Sequence, residues 1–381
     1  MIRVHRIYLD HNATTPLDPR ALEAMLPFLG EEYGNPSSLH RFGQRTRAAV
    51  EQARAEVAAL VGAEPAEIVF TASGSEADNM ALRGAATRAK PPRAAVVCTA
   101  VEHHAVLNTA RAMRDEGRPV AVARVREDGV LDLDDLAAKV DDATAVVSVM
   151  LANNETGVLQ PVAEAARIAR GRGALVHCDA VQAAAKVPID VRALDVDLLT
   201  LSAHKLYGPK GAGCLFVRRG TPMAPLVRGG AQERNRRAGT ENVPGIVGFG
   251  AAAALAGECL DAEAVRVAAL RDRLEARLLA IPGVRRNGDG PRVPNTTNVS
   301  FEAVDAEALL VALDLEGVAV STGAACAAGG IEPSHVLRAM GQSPERVQSS
   351  LRLSLGRGTT PQDVDHAADV VAAVVARMRQ K

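Results

Sequence analysis

Tryptophan is absent from the 381 residues, and only three tyrosines and six phenylalanines occur. A flat organic group held by this chain would therefore be covered by a histidine or a small apolar side chain, not by an indole. Lysine is also scarce. Lys90, Lys139, Lys186, Lys205, Lys210 and Lys381 are the only six, so arginine fills 38 (44 − 6) of the basic positions. Any lysine-dependent chemistry has few candidates. The formal net charge of −1 leaves no global field to recruit nucleic acid or an anionic membrane. No apolar run reads as a membrane span, and the opening MIRVHRIYLDHNATTP lacks the apolar core of a signal peptide, so a cytoplasmic protein is expected. The five cysteines, Cys98, Cys178, Cys214, Cys259 and Cys326, are scattered singly with no CxxC pair. That argues against a disulfide framework and against a zinc site, and no metal is expected.

What the sequence does contain is a long alternation of element types. Short β-rich runs at 68–70, 95–99, 120–125, 145–151, 175–178, 198–202 and 213–217 alternate with helical patterns near 75–90, 105–116, 133–140 and 162–170. This alternation predicts an α/β fold with a mainly parallel sheet covered by helices on both faces. The pattern changes after about residue 250. A helix over 262–280 ends before Pro282-Gly283, followed by a strand at 297–301, a helix at 306–316 and strands at 318–321 and 350–355. A last helix opens at Thr360-Pro361, with proline suited to the first helical position. The expected division is a large α/β domain over 15–255 and a smaller α+β domain built from 1–14 and 256–381.

Six stretches could carry chemistry. Thr71-Ala72-Ser73-Gly74-Ser75-Glu76 follows an apolar strand and opens a helix, as a phosphate cup would; an ordinary helix-capping turn has the same composition. Asp179, in VHCDAVQ, stands at a strand end where α/β sheets place ligands; an acid capping the next helix is the alternative. Gln182 lies three residues beyond it. Lys205, in LSAHKLYGPKG, follows a strand and precedes a Gly/Pro turn; partial burial would lower its pKa and make it nucleophilic, whereas a solvated lysine would do nothing. Ser202 and His204 share an extended face beside it. His103 and His104 begin a helix after the 95–99 run, and either could cover a ring. Cys326 lies in STGAACAAGGIEP, which has almost no bulk or charge and reads as an exposed mobile loop; Cys98, Cys178 and Cys214 lie in apolar strands and read as inert core. The thiol of Cys326 is either a mobile nucleophile or an incidental surface group. Arg352, between apolar strand neighbours, is suited to a carboxylate. Asn154, in NNETG, places an amide at the same strand-end rim as Asp179.

Together these motifs resemble the cysteine desulfurases, NifS/IscS-like members of the class V aminotransferase-like branch of fold-type I pyridoxal-phosphate (PLP) enzymes. The resemblance runs through YLDHNATTP, YGNPSSLHRFG, SGSEADN, VEHHAV, NNETGVLQP, HCDAVQ, SAHKLYGPKG, RRAGTEN and STGAACAAGGIEPSHVLRAMG. It implies a seven-stranded large domain and PLP as cofactor. It implies that Lys205 forms the Schiff base, that Asp179 pairs with the pyridine nitrogen, and that Gln182 bonds the phenolic oxygen. Ser75 and Gly74 of the cup, with Ser202 and His204, hold the phosphate. His103 stacks on the ring and moves protons, Asn154 and Arg352 hold the substrate, and Cys326 accepts sulfur. Thr240, in RRAGTEN, matches a residue that reaches the phosphate from a partner subunit, so a homodimer is implied.

The expected reaction converts L-cysteine to L-alanine, leaving a persulfide on Cys326 for a protein acceptor such as an iron–sulfur scaffold or a tRNA-thiolation enzyme. A selenocysteine lyase and a true class V aminotransferase share the scaffold. A non-catalytic scaffold on the same fold would lack the Asp179, Lys205 and Cys326 set. Direct binding of nucleic acid or membrane is not expected.

Overall fold

The computed structural model describes residues 6–90, 93–323 and 333–380, and residues 326–327 and 330–331 by their backbone alone. Seven strands form one sheet in the order Ile68–Thr71, Gly213–Val217, Leu198–Ser202, Leu175–Asp179, Thr144–Ser148, Ala95–Thr99, Val120–Ala123. Only Gly213–Val217 runs antiparallel to both neighbours. The other pairings are parallel, as the alternating pattern predicts. Thr144–Ser148, Leu198–Ser202 and Gly213–Val217 are buried at every position, which is why they read as mainly apolar runs and not as alternating ones. Two strands are shorter than the sequence suggests, ending at Ala123 and Ser148 where 125 and 151 were expected.

A second sheet has Thr296–Phe301 at its centre, with Ser350–Ser354 and Val284–Arg286 antiparallel on either side. The N-terminal strand Ile7–Tyr8 pairs in parallel with Val318–Ala319, and Asp10 bridges to Ser354. Residues 7–10 are thereby fastened to the C-terminal strands while their continuation, at Asn12 and Ala13, reaches Lys205. Helices Ala306–Leu315 and Pro361–Arg379 cover this sheet and share its apolar core.

Two helices not anticipated from the sequence, Pro19–Leu29 and Arg41–Leu60, precede the large sheet. The helix expected at 262–280 is longer, running unbroken over Val243–Leu279. It crosses the expected boundary at 255. Val243, Ile246, Phe249, Ala252 and Ala253 join the core of the large sheet, whereas Val267, Leu270, Leu274 and Leu278 join that of the small one. An 18-residue stretch of this helix has mean hydropathy 1.6, long and apolar enough to cross a membrane, which corrects the expectation that no run reaches that length. Half of that stretch is buried inside the protein. Packing against Pro19–Leu29 and Arg41–Leu60 accounts for the apolar composition.

The segment read as an irregular loop carries a two-residue antiparallel pairing, Cys326–Ala327 with Gly330–Ile331. The Cys326 side chain, with the expected exposure of its thiol, lies outside the described residues. Cys98, Cys178 and Cys214 are buried. Burial pushes the Cys98 thiol up to about 12 and raises the other two as well. Iodoacetamide at mildly alkaline pH is therefore expected to leave these three unmodified in the native protein and to label all five cysteines once it is denatured. Peptide mapping reads the result, and rapid native labelling of any of the three would contradict the packing.

Candidate active site

Thr71, Thr99, Ser148, Asp179 and Ser202 are the last residues of five parallel strands, and a cavity of about 520 Å³ opens beyond them. Ligands of open α/β sheets sit outside such carboxyl ends. Ten of the twelve residues singled out from the sequence line it.

At one end the strand Ile68–Thr71 turns into the helix Gly74–Arg88. The Ser73 hydroxyl caps that helix by accepting from Glu76 N at 3.1 Å, and the first intrahelical bond is Ala77 N to Ser73 O. The N–H groups of Gly74 and Ser75 belong to the first turn, whose donors have no partner within the helix. Gly74 is pressed against the sheet: a Cβ there would stand 3.0 Å from Val181 Cγ2 and 3.4 Å from Ser202 Cβ. Ser75, Ser202 and His204 complete this end. His204 Nδ1 lies 3.1 Å from Thr14 Oγ1, and burial with the nearby Lys205 and Lys210 lowers its pKa to about 4. The arrangement is both a cap and an anion cradle, so the two sequence readings coexist.

Asp179 lies at the floor. Its Oδ1 accepts from Val181 N at 2.9 Å. Burial pushes its pKa up to about 6, against the pull of that N–H and of Lys205. Beneath it are two acids that sequence reasoning missed. Burial and the nearby Asp179 raise the Asp78 pKa well above the usual carboxylate range, and among the described residues its Oδ1 has no hydrogen-bond partner. Glu102 accepts from Thr99 Oγ1 at 2.7 Å and Met150 N at 2.8 Å, with burial raising its pKa to about 8. His177, two residues before Asp179 on the same strand face, is kept neutral by burial between Ser148 and Thr200.

Lys205 ends a single 3₁₀ turn, Ala203–Lys205, that follows the strand Leu198–Ser202. Its Nζ donates to the carbonyls of Asn12 and Ala13, each at 2.6 Å. Burial first, then Arg352, lowers its pKa to about 8. His103 caps the helix His104–Asp115, its Nδ1 accepting from Ala105 N at 3.1 Å. Both His103 and His104 face the cavity, so the pair does not divide into a site residue and a surface residue. Burial, followed by Lys205, lowers the His103 pKa to about 4. The His104 ring packs on His335 with centroids 4.7 Å apart.

At the opposite wall Arg352 donates to Asn154 O at 2.9 Å and Asp10 Oδ1 at 2.6 Å. Among the described residues its Nε and the Asn154 Oδ1 are buried without partners. Sequence reasoning assigned this guanidinium to a carboxylate ligand but did not see that Asp10 already engages it. Glu155 accepts from Ser334 Oγ at 2.5 Å and is raised by burial. Asp10, Asn12, Glu155 and His335 all lie inside motifs quoted for the family resemblance, so a signal for them existed. Thr240 does not reach this cavity. It lies exposed beside a separate hollow near Ala72 and Arg237.

The family pattern for aminotransferases of class V matches residues 7–366, a span containing every residue of this cavity. Over 375 residues, 98% of this chain and 94% of the relative, the sequence is 48% identical to a cysteine desulfurase of Nostoc sp. (strain PCC 7120). The fold is similar to that of a solved NifS-like protein, with TM-score 0.91 and 38% identity over 98% of this chain and 100% of that one. It is also similar to SspA in complex with cysteine, with TM-score 0.81 and 32% identity over 91% of this chain and 98% of that one. The chain belongs to the class V aminotransferase family of PLP-dependent enzymes, and within it to the cysteine desulfurases. The cavity's own donors fit PLP: a cradle at Gly74 that a side chain would fill, a buried carboxylate, and a lysine of lowered pKa.

Proposed function

We infer that the chain takes the sulfur of L-cysteine onto Cys326 as a persulfide and releases L-alanine. One observation carries this reading: Lys205, Asp179 and Arg352 meet at a single cavity whose far end is an anion cradle. Bound there, PLP supplies an electron sink for the charge left when a proton leaves the substrate Cα.

Lys205 would hold the cofactor, and its amine, once displaced by substrate, removes the Cα proton. A pKa near 8 leaves a useful neutral fraction for that task. Asp179 would pair with the pyridine nitrogen, and Gln182 would offer an N–H to the ring oxygen. Gly74, Ser75, Ser202 and His204 would hold the phosphate. His103, already largely neutral at physiological pH, would cover the ring and carry protons. Arg352 and Asn154 would receive the substrate, with Arg352 Nε and Asn154 Oδ1 as the free valences that a ligand completes.

The Cys326 thiolate then attacks the substrate sulfur. The S–S bond forms as the C–S bond breaks, and a proton reaches Cβ. Cysteine and a thiol thus become alanine and a persulfide, with no outside oxidant or reductant.

Two chains would pair so that Thr240 of each serves the other's phosphate cradle, consistent with its exposure away from its own cavity. The persulfide would pass to a protein acceptor of the iron–sulfur assembly or tRNA-thiolation kind. A cytoplasmic setting accords with the free thiols of Cys98, Cys178, Cys214 and Cys259.

The test is mass spectrometry of the holoenzyme after L-cysteine, with alanine quantified. One added sulfur on the Cys326 peptide is expected, and none on that peptide in Cys326→Ser. Stoichiometric sulfur on another cysteine, or alanine formation at the wild-type rate in Cys326→Ser without added thiol, would overturn the reading.

A further inference from the structure

We propose that Lys186, a second lysine buried beneath the cavity, is a positioning residue that holds the Gln182 carboxamide by its Oε1 in the place from which an N–H is offered to the ring oxygen of the cofactor. The proposal rests on the reading of the cavity as a PLP site and concerns a residue that this reading leaves without a role.

A lysine is almost never fully buried unless its amine has partners, yet only 9% of Lys186 is exposed. Its Nζ donates to Gln182 Oε1 at 2.8 Å and to Asn12 Oδ1 at 3.1 Å. The other end of the Gln182 amide settles which way it points. Gln182 Nε2 lies 2.9 Å from the backbone carbonyl of Asn12, which can only accept. Oε1 must then face Lys186, whichever charge Lys186 carries. Of the two Nε2 protons, one goes to Asn12 O. The other is left for the cavity that Gln182 lines.

Asn12 is fixed just as firmly. Its Nδ2 donates to Asn154 O at 3.1 Å and to Thr296 Oγ1 at 2.9 Å, and its Oδ1 also accepts from Asn295 Nδ2 at 3.1 Å. Lys186 is thus held on one side by a residue with no freedom and holds on the other side a residue with rotatable bonds. Lys205 donates to the same Asn12 carbonyl as Gln182, so the two groups that would grip the cofactor ring share one anchor. Lys205, Arg352 and His11 are the titratable groups acting on Lys186, and Tyr207, Glu263 and Arg357 line the small hollow behind it. Burial and the first two cations lower its pKa well below the usual lysine value.

An N–H donated to an oxygen favours that oxygen's charged form, so losing it makes the chromophore's proton harder to remove. The visible absorption band of the holoenzyme is to be titrated across the neutral-to-alkaline range in wild type, Lys186→Met, Gln182→Ala and the double variant. The midpoint is expected to rise by about one pH unit in each single variant, the scale of one hydrogen bond to a charged group. The double variant should rise no further than Gln182→Ala alone, because Lys186 acts through Gln182.

Methionine spans the lysine side chain up to Cε, lacks only the amine, and is cheaper to bury. Lys186→Leu carries the same expectation should the methionine variant not accumulate. An unmoved midpoint in Lys186→Met, or a shift that adds in full on top of Gln182→Ala, overturns the proposal while leaving the cofactor assignment intact. A wild-type protein that takes up no chromophore removes the cofactor reading itself, and the proposal with it.

Discussion

Lys205→Ala is expected to lose covalent attachment of the cofactor and to cut turnover at least about 10⁴-fold, the combined scale of a positioned base and a pre-formed covalent link. The expectation comes from how the amine is held. Two carbonyl acceptors at 2.6 Å fix Nζ in place, and burial with the nearby Arg352 brings its pKa to about 8 from the usual 10.5. An unperturbed lysine would be almost wholly protonated at neutral pH, and so poor both as nucleophile and as base. Lys186 cannot take over, because its amine is committed to Gln182 and Asn12. The fold should survive, since Asn12 O keeps its bond from Gln182. Borohydride reduction followed by peptide mapping gives the readout: a pyridoxyl group on the 205 peptide in wild type and on no peptide in the variant. An adduct on another lysine with turnover preserved would defeat the assignment.

Lys205 and Asp179 were legible in the sequence because one closely follows and the other ends a short, mainly apolar strand, and a polar residue at such an end has little to do but face the sheet's open edge. Asp78 and Lys186 were not legible, for a common reason. An acid in the middle of SGSEADNM, or a lysine after Ala183-Ala184-Ala185, reads locally as a solvated face. Their burial comes from chain segments distant in sequence: His177 and Thr200 close over Asp78, and Asn12, itself held by Asn295, meets the Lys186 amine. The long helix Val243–Leu279 was hidden by its glycines, which look like breakers. At Gly250 a Cβ would lie 2.5 Å from Ala53 Cα, so glycine there permits helix-on-helix contact and does not end the helix. Arg352 was legible as a buried arginine and residues 1–14 as part of the C-terminal unit, but the ion pair with Asp10 depends on the register in which the two segments meet, which no local pattern announces.

Asp179→Asn is expected to separate catalysis from stability, moving them in opposite directions. The carboxylate is buried, and its pKa is pushed up to about 6 with Asp78 and Glu102 close beneath. A folded-state pKa above the unfolded value means that the folded protein holds the proton longer as pH rises. Stability is then lost as pH climbs from the unfolded value of about 4 through about 6, and above that the apo protein bears an ionised acid in a dry site. Asparagine keeps the shape and can still accept from Val181 N, but it carries no charge. The apo variant should therefore be more stable than apo wild type at mildly alkaline pH, by on the order of 2 kcal/mol, with the gain vanishing below about pH 4. Turnover should move the other way, falling about 10²–10³-fold, the range seen when a single pre-organised polar group is removed. Without the carboxylate the pyridine nitrogen loses its proton's partner, and the electron sink weakens. Urea unfolding of the two apo proteins at several pH values, set beside alanine release by the two holoenzymes, reads both halves. An apo variant no more stable than wild type at high pH would mean that Asp179 is not the costly buried charge described here. Unimpaired turnover would mean that the nitrogen of the cofactor finds its partner elsewhere.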